Sequence, residues 1–243
     1  MVSQKSWQLE AILRLGMRLL AAFAVGLVLA SIARKLFGDR LVEDSLLHLL
    51  LAVLAFQVAG LVCIAWFLRE QQTGWAAAFG FRTDWRGAVG WGVAVGLAAL
   101  PVVWGLQWLS ATALQALGFD VGEQDAIRLL RDSETLGKQV FIGMVAIGLA
   151  PPVEEMLFRG ILYPFLKQRG FPRWGLWGTA LMFALIHGSL PILLPLVVLA
   201  VVLALLYERT DNLLAPIIVH TIFNAANFAM LFILKAAQCP PHP

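Results

Sequence analysis

Residues 140–165 read VFIGMVAIGLAPPVEEMLFRGILYPF, a stretch that is apolar except for Glu154, Glu155 and Arg159. As a helix rising about 1.5 Å per residue, it is long enough to cross the roughly 30 Å hydrocarbon core of a bilayer. Placing a charged side chain near the bilayer centre costs about 2.5 to 3.5 kcal/mol even on lenient scales. Three ionisable groups so close together therefore indicate a partner, a cavity or chemistry at that depth.

The composition is that of an integral membrane protein. Of the 243 residues, 60% are hydrophobic and only 14% are charged, whereas about 25% are charged in an average soluble protein. We therefore predict a single transmembrane domain over residues 1–243, with no room for a second, soluble domain. The net charge is +3, but no basic cluster exceeds a few residues, so we expect no nucleic-acid partner. Cys63 and Cys239 do not form the pattern of a disulfide framework.

The apolar runs predict the fold class all-α, as a polytopic transmembrane bundle of about seven helices, with six to eight as the range. We expect the third helix to be broken by Pro101, and one of the two short helices near the C-terminal end to be tilted or re-entrant. The residues that carry chemistry lie in a catalytic core at about 138–235. The predicted helices span residues 15–36, 46–68, 87–117, 138–166, 174–188, 191–207 and 213–235.

Charge in the loops predicts a cytoplasmic N-terminus and a multi-pass protein of the plasma, or inner, membrane. The short basic loop at residues 167–173 is the strongest part of this argument. A cleaved signal peptide ending near residues 31–33 is a less favoured alternative, because further hydrophobic runs follow. We expect residues 118–137 to form an extracytoplasmic loop with a short amphipathic helix. The ten cationic residues assigned inside, against seven outside, are Lys5, Arg14, Arg18, Arg69, Arg82, Arg86, Lys167, Arg169, Arg173 and Arg209.

Glu155 and Arg159 are four residues apart, in the order that favours an intrahelical ion pair. Glu154 points about 100° away from Glu155 around the helix, so we predict that Glu154 is a free carboxylate. The alternative is that both glutamates pair with arginines or lie among lipid head groups. Pro151 and Pro152 precede the acidic pair and leave backbone carbonyls without donors, which neighbouring helices or water must supply.

Two histidines and an asparagine lie at a similar depth to Glu154. Counted from the charged loop residues on one side of the membrane, Glu154, His187 and Asn224 are each 13 or 14 residues deep, or roughly 20 Å. His220 is about one turn shallower and shares a helix face with Asn224. A lone histidine is more often an ordinary core residue, but this shared depth predicts that the four side chains meet.

Such a set suits hydrolysis of an amide, which needs a base for water and donors for the oxygen that becomes negative. Glu154 with His187 would activate the water, and His220 with Asn224 would form the oxyanion hole. The alternative is a metal-dependent protease in which Glu154, His187 and His220 bind zinc. The sequence has no His-Glu-x-x-His helix, so we expect no cofactor and keep zinc as the alternative.

Three motifs, Glu154-Glu155-x-x-x-Arg159, Phe183-x-x-x-His187 and His220-x-x-x-Asn224, resemble those of the CAAX prenyl protease and bacteriocin-processing (CPBP, or Abi) family. The resemblance implies a glutamate-type intramembrane endopeptidase. It implies that Glu154 and His187 activate water and that His220 and Asn224 stabilise the oxyanion, with Glu155 and Arg159 in support.

Phe183 and Asn227 are two further residues predicted to lie at or near the site. The ring of Phe183 could line the pocket and orient His187, although ordinary packing explains a single Phe equally well. Asn227 is expected to link helices or to support the site.

The expected partners are the lipid bilayer and a membrane-associated protein or peptide substrate, with or without a lipid. A non-catalytic immunity or scaffold protein is the rival from another class, and a transporter lacks support because no internal repeat is visible.

Overall fold

The computed structural model describes residues 5, 7–38, 53–119, 121 and 135–238. Within these residues the chain forms eight helices and no strand, which confirms the all-α prediction. The helices are α1 (Leu9–Phe37), α2 (residues 54–70), α3 (Trp75–Phe79), α4 (Trp85–Ala116), α5 (Leu136–Gln168), α6 (Trp174–Leu185), α7 (Leu190–Thr210) and α8 (Leu214–Gln238).

Five of these helices, α1, α4, α5, α7 and α8, are long and apolar enough to cross a membrane, and α6 is a shorter apolar helix. The chain is therefore a polytopic integral membrane protein. The expected break at Pro101 is wrong, because α4 continues through Pro101 to Ala116. A proline removes only one backbone donor, and a membrane helix tolerates this loss where neighbouring groups satisfy the freed carbonyl. Helix α3 was not predicted. Residues 46–52 and most of the predicted loop helix in 118–137 lie outside the described residues.

Helix α5 changes its winding along its length. Two π-helical segments, in which hydrogen bonds run from residue i+5 to residue i, interrupt the α-helix, and such segments often occur at functional sites. Glu154 and Glu155 lie in the short α-helical segment between them. The segments are α-helical Leu136–Gly143, π-helical Met144–Leu149, α-helical Ala150–Glu155, π-helical Met156–Leu162 and α-helical Tyr163–Gln168.

Helix α8 packs closely against α4 because α4 presents glycines to it. A Cβ atom at Gly92 would lie 2.9 Å from the carbonyl oxygen of Ala215 and 2.9 Å from the Cβ of Ile218. One turn on, a Cβ at Gly96 would lie 2.9 Å from a side-chain carbon of Ile222. Small residues at membrane helix interfaces allow this approach. The contact holds α8, which carries two of the predicted site residues, against the middle of the bundle.

The loops predicted to share the cytoplasmic side meet at one face of the bundle. The Lys5 side chain donates to the carbonyl of Ala77 at 3.1 Å, and its backbone N–H donates to the side chain of Gln168 at 2.9 Å. The Asn212 amide donates to the carbonyl of Thr83 at 3.3 Å. These contacts agree with the predicted grouping of the N-terminus and the three inside loops on a single side.

Candidate active site

Glu155 and Arg159 form the predicted intrahelical ion pair. A guanidinium nitrogen of Arg159 lies 2.9 Å from Oε1 of Glu155, and the second guanidinium nitrogen donates to the carbonyl of Ala200 on α7 at 3.2 Å. The two residues are 0% and 1% exposed. The pair therefore carries its charges wholly inside the protein, and Arg159 joins α5 to α7.

Glu155 also contacts His220, which the sequence did not predict. Nδ1 of His220 lies 2.9 Å from Oε1 of Glu155, the same oxygen that binds Arg159. A carboxylate paired with arginine is an acceptor, so Nδ1 of His220 carries a hydrogen and donates it. This fixes the ring of His220 and leaves Nε2 for chemistry.

Glu154 faces that second nitrogen. Oε2 of Glu154 lies 3.9 Å from Nε2 of His220, too far for a direct hydrogen bond. Among the described residues, this oxygen has no hydrogen-bond partner although the atom is buried. The side chain of Glu154 is 20% exposed, so part of it remains accessible. A gap of this length between two polar atoms suits a bridging water.

His187 packs against the ring of Phe183. Nδ1 of His187 is 2.7 Å from the carbonyl oxygen of Phe183, and since a carbonyl only accepts, Nδ1 carries the hydrogen and Nε2 has the lone pair. The centroid of the Phe183 ring lies 4.8 Å from that of His187 and 5.6 Å from that of His220. His187 has no ion-pair contact with Glu154 within the described part of the chain, so the structure places His220, and not His187, nearest to this carboxylate.

Phe183 is a central packing residue of the site. It is 0% exposed, and the guanidinium carbon of Arg159 lies 4.4 Å from its ring centroid. Phe158 packs edge-on against the same ring at 5.3 Å. Phe183 therefore packs against both histidines and the buried cation, so its predicted place beside His187 agrees with the structure.

Asn224 points its amide toward helix α5. Its Nδ2 donates to the carbonyl of Ala146 at 2.7 Å, and because an amide nitrogen carries two hydrogens, one is left for another acceptor. The neighbouring Thr221 donates to the carbonyl of Ile147 at 3.2 Å. Sequence reasoning did not single out Thr221. Asn227 accepts a hydrogen bond from the indole of Trp104 at 2.8 Å, and so links α8 to α4.

Among the predicted site residues, Glu155 contacts Arg159 and His220, and Phe183 packs against His187, His220 and Arg159. In the described ranges, no cluster of three or more His, Cys, Asp or Glu side chains has the arrangement of a metal site. The alternative zinc ligands Glu154, His187 and His220 are thus not gathered as a ligand set in this conformation. The absence of a cofactor remains a prediction.

Comparison with known proteins agrees with the motifs. Residues 136–226 match the family described as Rce1-like, type II CAAX prenyl endopeptidase Rce1-like. No curated protein and no solved structure matches the chain. The matched segment begins with α5 and contains all three motifs, which confirms the resemblance inferred from them. Residues 136–226, the segment that carries the candidate site, are therefore similar to the Rce1-like family of type II CAAX prenyl endopeptidases.

Proposed function

We propose that this protein is an intramembrane endopeptidase that hydrolyses a peptide bond of a membrane-associated protein or peptide. The observation that carries the proposal is the buried Oε2 of Glu154, which has no hydrogen-bond partner among the described residues and lies 3.9 Å from Nε2 of His220. An unpaired polar atom inside the bundle is costly. A scaffold protein has no evident need for it, whereas a hydrolase needs an acceptor for a proton of water.

In the proposed reaction, a water molecule is held beside Glu154. The carboxylate takes one proton from this water as its oxygen attacks the carbonyl carbon of the substrate, and the carbonyl oxygen becomes negative. The proton then passes from Glu154 to the amide nitrogen as the C–N bond breaks, releasing a carboxylic acid and an amine. His187, whose Nε2 has the lone pair, orients the water by accepting its second hydrogen.

Two donors would stabilise the negative oxygen. His220 would donate from Nε2 in its doubly protonated form, because its Nδ1 hydrogen is bound by Glu155. Asn224 would donate the amide hydrogen that is not used by Ala146. Donors fixed in advance in a site with little water stabilise the transition state strongly, typically by about 2.7 to 4 kcal/mol for each one removed by mutation.

We propose that the face formed by Lys5, Gln168 and the loops near Thr83 and Asn212 lies in the cytoplasm of a plasma, or inner, membrane. The basic loop at residues 167–173 supports this orientation. The family match supports a protein substrate that carries a lipid, as the name of the family implies.

The test compares membranes that contain the wild type with membranes that contain Glu154→Ala at the same level. Proteomic analysis of protein termini should find new termini only with the wild type. The same cleavage should then be reproduced with purified protein and a synthetic peptide that spans the site. Identical sets of termini, together with partners that copurify equally with both proteins, would support the scaffold function instead.

A further inference from the structure

Backbone hydrogen bonding in α5 is incomplete in the two turns that precede Glu154, the proposed proton acceptor. The N–H of Ala150 donates to the carbonyl of Val145, five residues back, as in a π-helix. With the same spacing, the carbonyl of Ala146 would bind the N–H of residue 151 and the carbonyl of Ile147 that of residue 152. Both positions are proline, and proline has no N–H. Two adjacent carbonyls thus lack their backbone donors.

Helix α8 supplies a side-chain donor to each of these carbonyls. Nδ2 of Asn224 lies 2.7 Å from the oxygen of Ala146, and Oγ1 of Thr221 lies 3.2 Å from the oxygen of Ile147. Each carbonyl that lacks a backbone N–H donor therefore receives one side-chain donor from α8. Unpaired carbonyls in a membrane cost several kcal/mol each, so these two contacts hold α5 against α8 at a defined height and rotation.

The Thr221 hydroxyl donates to a different helix, unlike four other Ser and Thr hydroxyls of the bundle. A helical Ser or Thr usually donates to the carbonyl four residues back in its own helix, and four residues here do so at 2.6 to 2.9 Å. Thr221 instead donates across to another helix. The residues that follow the usual pattern are Ser31, Thr112, Thr179 and Thr210.

We infer that Thr221 is a positioning residue for the proposed hydrolysis, and that Thr221 and Asn224 replace the missing N–H groups of Pro152 and Pro151. Glu154 lies two residues after Pro152, and His220 directly precedes Thr221. The same contacts that complete the backbone of α5 therefore set the separation between Glu154 and His220. Asn224 would have two roles, with one amide hydrogen anchoring α5 and the other free for the substrate. This inference rests on the proposed function.

The experiment removes the hydroxyl donor and then restores the backbone donor. Thr221→Val keeps the shape of the side chain without its O–H, and should lower kcat roughly ten- to a hundredfold with KM unchanged, since small misplacement of reacting groups has effects of this order. Thr221→Ser should retain most of the activity. Thr112→Val on α4 is the matched control, because Thr112 bonds only within its own helix, and its kcat should equal that of the wild type.

The decisive variant is Pro152→Ala in the Thr221→Val background, because the new N–H can reach the carbonyl of Ile147. If Thr221→Val lowers kcat a hundredfold, we expect this double variant to raise kcat again by about tenfold or more, which is half of the loss on a logarithmic scale. Pro151→Ala in the same Thr221→Val background should recover little. A residue that only fills space would not be rescued by a backbone donor. Equal rescue by both proline replacements, or by neither, would overturn the inference.

Melting temperature provides a second readout that does not depend on proteolysis. Thr221→Val should lower the melting temperature of the purified protein, and Pro152→Ala should restore it in the double variant. If Thr221→Val does not accumulate, its melting temperature cannot be measured, and the readout becomes whether Thr221→Val/Pro152→Ala accumulates. If this double variant also fails to accumulate, the inference is overturned. If the wild type cleaves no substrate, the proposed function fails, while the melting temperatures still decide whether Thr221 replaces the N–H of Pro152.

Discussion

Replacing Glu155 by Leu should strongly destabilise the protein. The substitution leaves the guanidinium of Arg159, which is 1% exposed, without a counter-ion. Stranding one member of a buried ion pair typically costs about 3 to 5 kcal/mol. For a chain of this size that corresponds to a drop of roughly 6 to 20 °C in melting temperature. Thermal unfolding of the purified protein in detergent measures this drop.

Arg159→Met should be milder than Glu155→Leu, since Glu155 keeps a contact with His220 at 2.9 Å and a protonated His220 can balance its charge. The double variant Glu155→Leu/Arg159→Met removes both charges and should melt close to the wild type, because replacing a whole buried pair by apolar side chains is often neutral or stabilising. Its kcat should nevertheless fall about 10²-fold or more, since His220 has lost the acceptor that fixes its ring.

Two results would refute this reasoning. If the single variants melt like the wild type, the pair does not carry buried charge. If the double variant recovers both stability and full activity, Glu155 does not orient His220, and the contact between them has no part in the reaction.

The remaining predictions concern the proton acceptor, the oxyanion donor and the metal. Glu154→Gln should accumulate and fold but lose activity, because an amide cannot accept a proton from water; more than a few per cent of wild-type turnover would exclude Glu154 as the base. Asn224→Ala should lower kcat by about 10²- to 10³-fold with little change in KM, and Asn224→Asp should be no better because its charge opposes the oxyanion. A defect confined to KM would make Asn224 a substrate-positioning residue. Purified active protein should contain far less than one zinc or iron per chain by elemental analysis and keep its activity with a strong chelator; metal whose removal and return switch activity off and on would establish the metal-dependent mechanism.

Several features of the fold follow from the sequence because they depend on local properties. Hydropathy identified the long apolar helices, since a bilayer admits few other structures. The separation of four residues between Glu155 and Arg159 identified their ion pair. Pro151 and Pro152 indicated that carbonyls near them need donors from elsewhere, and the side chains of Thr221 and Asn224 on α8 provide them.

Other features were decided only by the tertiary structure. Counting residues along a helix estimates depth, but it does not tell which helices are neighbours or how each is rotated about its axis. Two π-helical segments in α5 add to this difficulty, because each one shifts the direction of every later side chain relative to a regular α-helix. For this reason the contacts of His220 with Glu154 and Glu155 emerged only from the structure. Length, apolarity and local pairing are properties of one segment, but the rotation of one helix against another is determined by packing among all of them.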